Sequence, residues 1–358
     1  MSDKELKKLR EEIDTVDAEL LALLNRRAAI VRKVGELKNG TRVYRPEREA
    51  EILRKVAGAK GGVLPAEASV AVFREIISAC RALEQEIRVA YLGPQGTFSE
   101  QAVRQHFGQG VIAEPAATID EALRSAESGA TQFAVAPAEN STDGVVGRTL
   151  DLLLTTPLTI CGEIELRVRQ NLLAKSAKRG GIKRVYSHAQ SLAQCNGWLS
   201  QNLPGAARLP VASNAEAARL ASKDKAAAAI AGEGAAARYK LRILERGIED
   251  DPNNTTRFLV LGRIEPAPTG RDRTSIVMAA ENKPGSVHAL LSPIAANGVS
   301  MSRIESRPAK ARSARWEYVF FVDLEGHQSD AKVASAIAEL KLRAPFLKVL
   351  GSYPAAEH

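Results

Sequence analysis

A polar loop that runs directly into an apolar strand is the part of this sequence best suited to chemistry. Residues 253–261 are Asn-Asn-Thr-Thr-Arg-Phe-Leu-Val-Leu, so a hydroxyl and a guanidinium stand side by side where the predicted strand begins. Loops held by strands commonly carry functional side chains. A Thr next to an Arg can donate a proton and bind a carboxylate, which suits a small anionic substrate that loses a hydroxyl. The alternative is a strand with a polar N-terminal edge and no catalytic role.

An arginine on the apolar face of a long amphipathic segment is the second candidate. Residues 3–38 contain no Pro and no Gly before Gly35, and their apolar residues alternate at spacings of three and four, which predicts one long helix. Position 27 of that apolar seam is Arg27. A buried guanidinium is costly without a compensating anion, so the sequence favours either a salt bridge inside a helical bundle or a site for an anionic ligand.

Two other cations on the same helix differ in their distance from Arg27. Lys38 lies eleven residues further on, close to the same helix face, whereas Arg10 lies seventeen residues earlier. Arg10 is therefore about 25 Å from Arg27 along the axis, too far to share a small ligand within one chain. A helix of about 50 Å also cannot bury its seam within residues 1–87, which independently predicts an intertwined dimer.

Two shorter helices are predicted to follow. The second begins near Pro46 and carries Arg48 and Glu49, and the third runs from about residue 65 to residue 87. Glu84 lies on the apolar seam of the third helix. Burial there favours the neutral carboxyl, which can donate a hydrogen bond.

These three helices resemble the all-helical chorismate mutase family. The residues that carry the resemblance are Leu9-Arg10, Arg26-Arg27, Gly35 to Lys38 and Arg48-Glu49. The resemblance implies that Arg27, Arg48 and the Arg10 of a second copy bind the carboxylates of the substrate. Arg45 stands where some members have Asp, and Cys80 where some have Ser, so neither is expected to be a site residue.

The resemblance also implies hydrogen-bond donors for the ether oxygen of the substrate. Lys38 and Glu84 take this role, and Glu49 holds the substrate hydroxyl. A Claisen rearrangement needs only a folded substrate and donors at the oxygen where charge develops, with no nucleophile or base. A carboxylate cannot donate, so Glu84 predicts a mutase activity that falls as pH rises.

From residue 88 onward short apolar strands alternate with helices, which predicts an α/β domain. Strands are expected at residues 89–92, 132–136, 159–165, 184–187 and 226–231. Polar inserts follow several of these strands, and that is where open α/β sheets bind ligands.

The inserts resemble the prephenate dehydratase family over residues 88–265. The matched motifs are Gly93-Pro94-x-Gly96-Thr97-Phe98-Ser99, Glu139-Asn140-Ser141, Ser187-His188-x-Gln190 with Gln194-Cys195, and Thr256-Arg257-Phe258. The resemblance implies two α/β lobes with the site in the cleft, one lobe of residues 88–164 and 255–265 and the other of residues 165–250. It implies that Thr256 protonates the leaving hydroxyl. The substrate-binding residues that it implies are Thr97, Ser99, Glu139, Asn140, Ser141, Ser187, Gln194 and Arg257.

Residues 264–273 are rich in Pro, Gly and charge, which is typical of a linker. Beyond it, the predicted order strand-helix-strand-strand-helix-strand is a ferredoxin-like unit. This unit resembles the regulatory ACT domain through residues 282–287 and 305–308. The resemblance implies an L-phenylalanine site between paired domains, formed by Asn282, Pro284, Gly285, Ser286, Val287, Glu305, Ser306 and Arg307. Ser286 stands where the family has Ala.

Composition limits the other possibilities. The 358 residues allow about two or three domains. Cys80, Cys161 and Cys195 are too scattered for a disulfide framework or a zinc site, so we expect no metal or cofactor and a reducing, cytoplasmic location. No apolar run of membrane-spanning length or signal region is present, so no membrane partner is expected. The net charge is +8, but the sequence has no basic cluster with interleaved aromatic residues. Acidic small molecules are therefore favoured over nucleic acid as binding partners.

Together the resemblances imply a multidomain enzyme with an all-α domain at residues 1–87, a two-lobed α/β domain at 88–265 and an ACT domain at 272–354. It would convert chorismate to prephenate, then prephenate to phenylpyruvate with loss of water and CO2, under inhibition by L-phenylalanine. We expect a homodimer formed through the helical and ACT domains. Two alternatives are a two-lobed amino-acid-binding or sensor protein without catalysis, and a transcriptional regulator. The second lacks a short helix-turn-helix with exposed basic residues.

Overall fold

The structure is a computed structural model that describes residues 3–37, 44–176, 178–281, 283–308 and 318–356. The chain forms two compact units, Met1–Ile87 with Phe107–Ile112 and Arg88–His106 with Ala113–His358. Among the described residues, no helix is both long enough and apolar enough to cross a membrane.

Three helices make up most of the first unit: α1 Asp3–Leu37, α2 Pro46–Ala57 and α3 Ala66–Ala82. Helix α2 begins at Pro46 as predicted, because the missing N–H of a proline is not needed in the first helical turn. The apolar seam of α1 lies exposed in the single chain, and Leu20 and Leu23 are 52% and 59% exposed. An exposed apolar surface of this length predicts a further packing partner.

Helix α3 ends earlier than its apolar periodicity predicts. The last helical residue is Ala82 rather than Ile87, and the backbone N–H of Glu84 donates to the carbonyl of Arg81 in a tightened final turn. The chain must extend into a strand that starts at Arg88, which prevents a longer helix. Glu84 therefore lies in a turn and not on a helix seam.

A buried arginine organises the polar interior of the first unit. The guanidinium of Arg81 donates to Glu49 Oε1 and to the carbonyl of Phe107, both at 2.5 Å. It also lies over the rings of Tyr44 and Phe107, 5.2 and 5.7 Å from their centroids. An ion pair, a carbonyl and two aromatic faces together compensate the charge of a side chain that is only 5% exposed.

The second unit begins with a sheet and three helices. The strands are β1 Arg88–Leu92, β2 Ile112–Ala116, β3 Phe133–Asn140, β4 Gly144–Val145 and β5 Thr159–Arg167, and the helices are α4 Phe98–Phe107, α5 Ile119–Ser128 and α6 Gly147–Thr155. The N-cap Thr118 accepts a hydrogen bond from the backbone N–H of Glu121 and so fixes the start of α5.

A second sheet follows in the chain. Its strands are β6 Asn171–Ala174, β7 Arg184–Ser187, β8 Ala207–Pro210, β9 Ala227–Ala231 and β10 Arg242–Glu245, and its helices are α7 Ala189–Gln194, α8 Asn196–Asn202, α9 Asn214–Ala221 and α10 Glu233–Tyr239. The strand order is β10-β6-β9-β7-β8. Every residue of the central strand β9 is buried, as expected for a strand covered on both faces.

Strand β11 Thr255–Gly262 returns the chain to the first sheet. It pairs antiparallel between β3 and β5, giving the order β2-β1-β3-β11-β5 with β4 beside β3. In this register Thr256 lies opposite Asn140, and Arg257 lies opposite Glu139. Successive strand residues point to opposite faces, so Thr256 and Arg257 are directed to different sides of the sheet.

The C-terminal part of the second unit is ferredoxin-like. It consists of β12 Asp272–Ala279, α11 Ser286–Ala296, β13 Met301–Pro308, β14 Tyr318–Glu325, α12 Ala331–Arg343 and β15 Phe346–Pro354, with the strand order β13-β14-β12-β15. One sheet face packs against α11 and α12 through Ile276 and Val322. The other face, including Phe321 and Tyr353, joins the core of the first sheet. The predicted fold class, all-α then α/β then ferredoxin-like, is confirmed.

Candidate active site

A cavity of about 600 Å³ lies between the two α/β lobes of the second unit. Five residues predicted from the sequence line it: Thr97, Ser99, Asn140, Gln194 and Thr256. Further polar side chains line it as well, namely Gln170, His188, Gln190, Ser191, Ser213, Asn214 and Glu216. A concave site with many convergent hydrogen-bonding groups suits a small polar ligand.

Thr256 receives a hydrogen bond that orients its own proton. Asn140 Nδ2 donates to Thr256 Oγ1 at 2.8 Å. Asn140 Oδ1 in turn accepts hydrogen bonds from the backbone N–H groups of Thr142 and Asp143, at 3.0 and 3.1 Å. These two donors identify that end of the amide as the oxygen, so the nitrogen is the end that faces Thr256. Because Thr256 Oγ1 accepts from Asn140, its hydrogen is available to a ligand in the cavity.

Two hydroxyl residues at the start of α4 line the cavity, Thr97 just before the helix and Ser99 in its first turn. Thr97 Oγ1 donates to the carbonyl of Pro94 at 3.0 Å and accepts from the N–H of Glu100 at 3.4 Å. Gly96, with φ +88°, forms the turn before it and packs closely against Ala235 of α10, an approach that a Cβ would obstruct. The glycine-rich motif thus brings this loop of the first lobe against the second.

A hydrogen-bond network on the second lobe positions the far wall of the cavity. Ser191 Oγ accepts from Gln170 Nε2 and from Asn214 Nδ2, each at 2.9 Å. Ser187 is fully buried, and its single hydroxyl hydrogen is shared between the carbonyl of Ile230 at 2.8 Å and Asn214 Oδ1 at 3.0 Å. Ser187 therefore supports the wall and does not line the cavity, and its implied role in substrate binding stays a prediction.

Three of these network residues were not predicted from the sequence. Gln170 and Asn214 stand outside every recognised motif, although Asn214 follows Ser213, the N-cap of α9. Ser191 lies next to Gln190 inside a recognised motif. A signal for Asn214 was present, because an Asn directly after a capping Ser at a strand-to-helix loop is well placed to hydrogen-bond neighbouring loops.

The two lobes are also bridged by an acidic side chain at the cavity. Gln194 Nε2 donates to Asp143 Oδ2 at 2.8 Å, and Gln190 Nε2 donates to the same oxygen. Asp143 lies on the turn that joins β3 to β4, and both glutamines belong to α7. Two neutral amides directed at one carboxylate oxygen form a site with the chemistry needed to bind a substrate carboxylate.

Arg257 does not lie in the cavity. Its guanidinium donates to Glu163 Oε2 at 2.9 Å, Asp323 Oδ2 at 2.6 Å and Tyr353 Oη at 2.9 Å. Burial disfavours the charged guanidinium, but Tyr353, Asp323 and Glu163 outweigh burial and hold the pKa of Arg257 above its ordinary value. Alternation along β11 directs Arg257 to the ferredoxin-like sheet, and its implied role in orienting a substrate stays a prediction.

Glu139 and Ser141 flank Asn140 without lining the cavity. Glu139 Oε2 accepts from Arg303 Nε of β13 at 2.5 Å. Ser141 Oγ accepts from the backbone N–H of Thr255 at 3.0 Å. The Glu139 side chain thus joins β3 to β13 and Ser141 joins the end of β3 to β11, and their implied contact with the substrate stays a prediction.

The candidate residues of the first unit have a different arrangement. Arg27 Nη1 and Glu84 Oε2 are buried and have no hydrogen-bond partner among the described residues. Glu84 packs closely against Gly35, where a Cβ would lie 3.2 Å from Glu84 Cγ. Buried polar atoms without partners mark places where a ligand can supply the missing bonds. Lys38 lies outside the described residues.

Arg48 and Glu49 are paired within the chain. Arg48 Nη1 donates to the exposed Glu51 at 2.5 Å, a pair that a ligand can replace at little cost. Burial raises the pKa of Glu49, and the nearby guanidiniums of Arg81 and Arg27 oppose that rise. Arg10 is exposed on α1. Among the predicted mutase residues that the structure describes, Arg27 and Glu49 lie near each other.

The candidate effector residues divide between two faces of the ferredoxin-like sheet. Gly285, with φ +81°, caps the start of α11 at Ser286, and Asn282 lies outside the described residues. Arg307 Nη2 lies 3.4 Å from Asp151 Oδ1 of α6, so this side chain faces the first lobe. Alternation along β13 directs Glu305 to the same face and Ser306 to the opposite one. Glu305 and Arg307 thus do not share a face with Ser306.

Within the described ranges, no cluster of three His, Cys, Asp or Glu side chains could hold a metal ion.

Comparison with known proteins finds three family matches in chain order. Residues 9–85 match chorismate mutase type II, residues 89–266 match prephenate dehydratase, and residues 274–342 match the ACT domain. These ranges follow the helical, α/β and ferredoxin-like parts of the structure.

Full-length relatives and a solved structure extend these matches. The chain is 50% identical to a bifunctional chorismate mutase/prephenate dehydratase of Neisseria gonorrhoeae, over 97% of this chain and 96% of that protein. It is 46% identical to one of Pseudomonas aeruginosa, over 99% of this chain and 100% of that protein. The prephenate dehydratase of Arthrobacter aurescens, solved in complex with L-Phe, is 35% identical with a TM-score of 0.70, covering 75% of this chain and 90% of that chain.

Proposed function

Because the chain belongs to the family of bifunctional chorismate mutase/prephenate dehydratases, we propose that its successive domains divide the two reactions and their regulation. Residues 1–87 rearrange chorismate to prephenate, and residues 88–265 convert prephenate to phenylpyruvate. Residues 272–354 form the regulatory domain. The pairing of Asn140 with Thr256 at the cavity is the observation that carries the dehydratase assignment.

In the dehydratase step, Thr256 is the group that protonates the leaving hydroxyl. The bond to the ring carboxylate breaks and releases CO2, its electron pair aromatises the ring, and the hydroxyl departs as water with the proton of Thr256 Oγ1. The N–H of Asn140 stabilises the negative charge that develops on Oγ1 as the proton leaves. Solvent then returns a proton to Thr256.

Neutral donors bind the two carboxylates of prephenate in this proposal. The cavity is lined by amides and hydroxyls, including Gln170, Gln194 and Ser191, and its described lining includes no Lys or Arg. Gln190 and Gln194 already coordinate the carboxylate of Asp143, which supports their use for a substrate carboxylate. Dense neutral hydrogen bonding can hold an anion without a full countercharge.

In the mutase step, we infer that a second copy of the chain completes the site. The exposed seam of α1 provides the surface for a homodimer, and Arg27 and Glu84 each keep a buried polar atom available for ligand. Arg27, Arg48 and the Arg10 of the second copy bind substrate carboxylates, while Lys38 and Glu84 donate to the ether oxygen. Glu49 holds the substrate hydroxyl after exchanging part of its contact with Arg81.

L-Phenylalanine is the proposed effector of the ACT domain. The relative from Arthrobacter aurescens binds L-Phe, and this chain shares its fold over the dehydratase and ACT regions. The proposed binding segment includes Asn282, Pro284, Gly285, Ser286 and Val287 together with Ser306. Isothermal titration with L-phenylalanine is expected to show heat of binding and a matching fall in dehydratase rate. No heat and an unchanged rate would exclude this role.

The direct test of the proposed function is conversion of chorismate by the purified chain. Chorismate is expected to disappear, prephenate to accumulate transiently and phenylpyruvate to appear, followed by its ultraviolet absorbance in base. Separate assays from chorismate and from prephenate assign each step. A sensor without catalysis would bind these compounds and form no phenylpyruvate. We further propose that the enzyme works in the cytoplasm, in keeping with its biosynthetic relatives.

A further inference from the structure

A buried asparagine outside the cavity lies behind the Asn140–Thr256 pair. Asn254 is 1% exposed and does not line the cavity. Its Oδ1 accepts a hydrogen bond from Asn140 Nδ2 at 2.7 Å. Three side chains are thus joined in the order Asn254, Asn140, Thr256.

The amide of Asn140 has two hydrogens, and the structure accounts for both. One is directed to Asn254 Oδ1 at 2.7 Å and the other to Thr256 Oγ1 at 2.8 Å, while the carbonyl of Thr255 is a longer contact at 3.4 Å. The planar amide holds its two N–H groups at a fixed angle. An acceptor that fixes one N–H therefore also aims the second.

The backbone around Asn254 makes it a rigid anchor. Its carbonyl accepts the N–H of Val168, just after β5, at 2.8 Å, and its own N–H donates to Asp251 at 3.3 Å. Its side chain is held in place even though Nδ2 is buried without a hydrogen-bond partner among the described residues. An unpaired buried amide donor lowers stability, so a residue that keeps one commonly has a function beyond packing.

We propose that Asn254 is a positioning residue of the dehydratase site, which acts through Asn140 to aim the hydroxyl of Thr256 at the substrate. The inference rests on the proposed role of Thr256 as proton donor. Without the Oδ1 of Asn254, the Asn140 amide is held only through its Oδ1 by the N–H groups of Thr142 and Asp143, so its Nδ2 is aimed less tightly and its hydrogen bond to Thr256 weakens. When a reacting group is misplaced by a fraction of an ångström, the rate of the chemical step falls more than the affinity for substrate does.

The first experiment measures dehydratase kinetics of Asn254→Ala in the full chain. We expect kcat to fall on the order of tenfold to a hundredfold, with KM nearly unchanged, because Asn254 does not touch the substrate. Mutase activity of the same preparation reports folding of residues 1–87 only, and a thermal unfolding transition like that of the wild type reports folding of the dehydratase domain. Should Asn254→Ala fail to fold, Asn254→Ser keeps a polar side chain that is too short to reach Asn140 and serves in its place.

The matched control is Asn171→Ala. Asn171 is also an asparagine with 1% exposure, and it hydrogen-bonds the carbonyl of Ala231 and the N–H of Gly247 in the second lobe. It makes no contact with Asn140 or Thr256, so its loss is expected to lower thermal stability while kcat stays within about twofold. Equal kcat losses in Asn254→Ala and Asn171→Ala would overturn the proposal.

A double-mutant cycle separates positioning from a general structural effect. If Asn254 acts through Thr256, Asn254→Ala added to Thr256→Ala lowers kcat no further, because the hydroxyl to be aimed is already absent. Losses that multiply would show that Asn254 does not work through Thr256. A Thr256→Ala variant with wild-type kcat would instead refute the proposed role of Thr256, so the two failures are distinguishable.

Discussion

Arg303 Nε donates to Glu139 Oε2 at 2.5 Å, and this bond joins the ferredoxin-like sheet to the strand that carries Asn140. Glu139 is the residue directly before Asn140 on β3. Arg303 lies on β13, the strand that also carries Ser306. A shift of β13 on effector binding would therefore be transmitted by one ion pair to the neighbour of a residue that hydrogen-bonds Thr256.

Arg303→Met is expected to weaken inhibition by L-phenylalanine. Removing the guanidinium breaks the link to Glu139, so the L-phenylalanine concentration for half-inhibition of dehydratase should rise at least about fivefold, within the range of typical allosteric coupling energies. Arg343→Met is the control, because Arg343 pairs with Glu339 on α12 and not with the first lobe. The same inhibition curve for wild type and Arg303→Met would refute this coupling.

Thr256→Ala is expected to separate the two activities. Loss of one well-placed donor should lower dehydratase kcat on the order of 100-fold or more and leave the mutase rate unchanged. The control is Thr255→Ala, since the neighbouring hydroxyl donates to the carbonyl of Asn253 and not to the cavity. Equal loss of both activities in a folded Thr256→Ala chain would contradict the division of the reactions between domains.

Mixing Arg10→Ala with Arg27→Ala tests whether mutase sites combine residues of two chains. Each variant alone should have little mutase activity. A mixed dimer would contain one site with both substitutions and one with neither, so an equal mixture refolded together should recover about a quarter of wild-type activity. Recovery no greater than the sum of the separate variants would indicate sites within single chains.

Glu84→Gln is expected to keep more mutase activity than Glu84→Leu. An amide at position 84 can donate to the ether oxygen of the substrate and a leucine cannot, so mutase kcat/KM should be on the order of 100-fold lower in Glu84→Leu than in Glu84→Gln. Dehydratase rates of the two variants should be equal. Equal mutase rates in the two variants would remove Glu84 from the site.

Lys348→Met is expected to loosen the contact between β15 and α6. Lys348 Nζ donates to the carbonyls of Leu153 and Thr156 at 2.9 and 2.7 Å, and their loss should lower stability on the order of 1–2 kcal/mol. Thermal or urea unfolding measures this difference. Lys341→Met, at an exposed position of α12, is the control.

The same lysine gives a pH dependence with a defined sign. Burial lowers the pKa of Lys348, so the native state binds this proton less tightly than the unfolded chain does. Stability should therefore rise as pH increases from the lowered native value towards the ordinary lysine value. The rise in stability with pH should be smaller in Lys348→Met. Identical slopes of stability against pH in the wild type and this variant would show that Lys348 is not the source of the pH dependence.

The sequence predicted the elements whose periodicity is strong and local. Helices α1 and α2 and the central strands of each sheet were found because their apolar spacing is set by burial on one or two faces. The two-residue β4 and the short strands β8 and β10 were missed, since so few residues carry no periodic signal. The end of α3 was wrong because the following strand, and not the helix pattern, decides where it stops.

The candidate site was predicted in part for similar reasons. Motifs placed Thr256, Asn140 and Gln194 at the cavity, but Arg257 was assigned to substrate although its partners Glu163 and Asp323 are 94 and 66 residues away. No local pattern contains such distant partners. The alternation of side chains along a strand could have predicted the direction of Arg257. If Thr256 faces the cleft, the next residue on the strand, Arg257, must face away from it.

The insertion of β11 between β3 and β5 also sets the order in which the two lobes can fold while the chain is synthesised. Until residue 262 has been synthesised, β3 and β5 each present an unpaired edge to solvent, and such edges pair readily with other chains. The second lobe must therefore emerge before the first can close. Nascent chains arrested before Thr255 lack both the proposed proton donor and the strand that protects the sheet, so premature termination yields a fragment that keeps residues 1–87 but has an aggregation-prone first lobe and no dehydratase site.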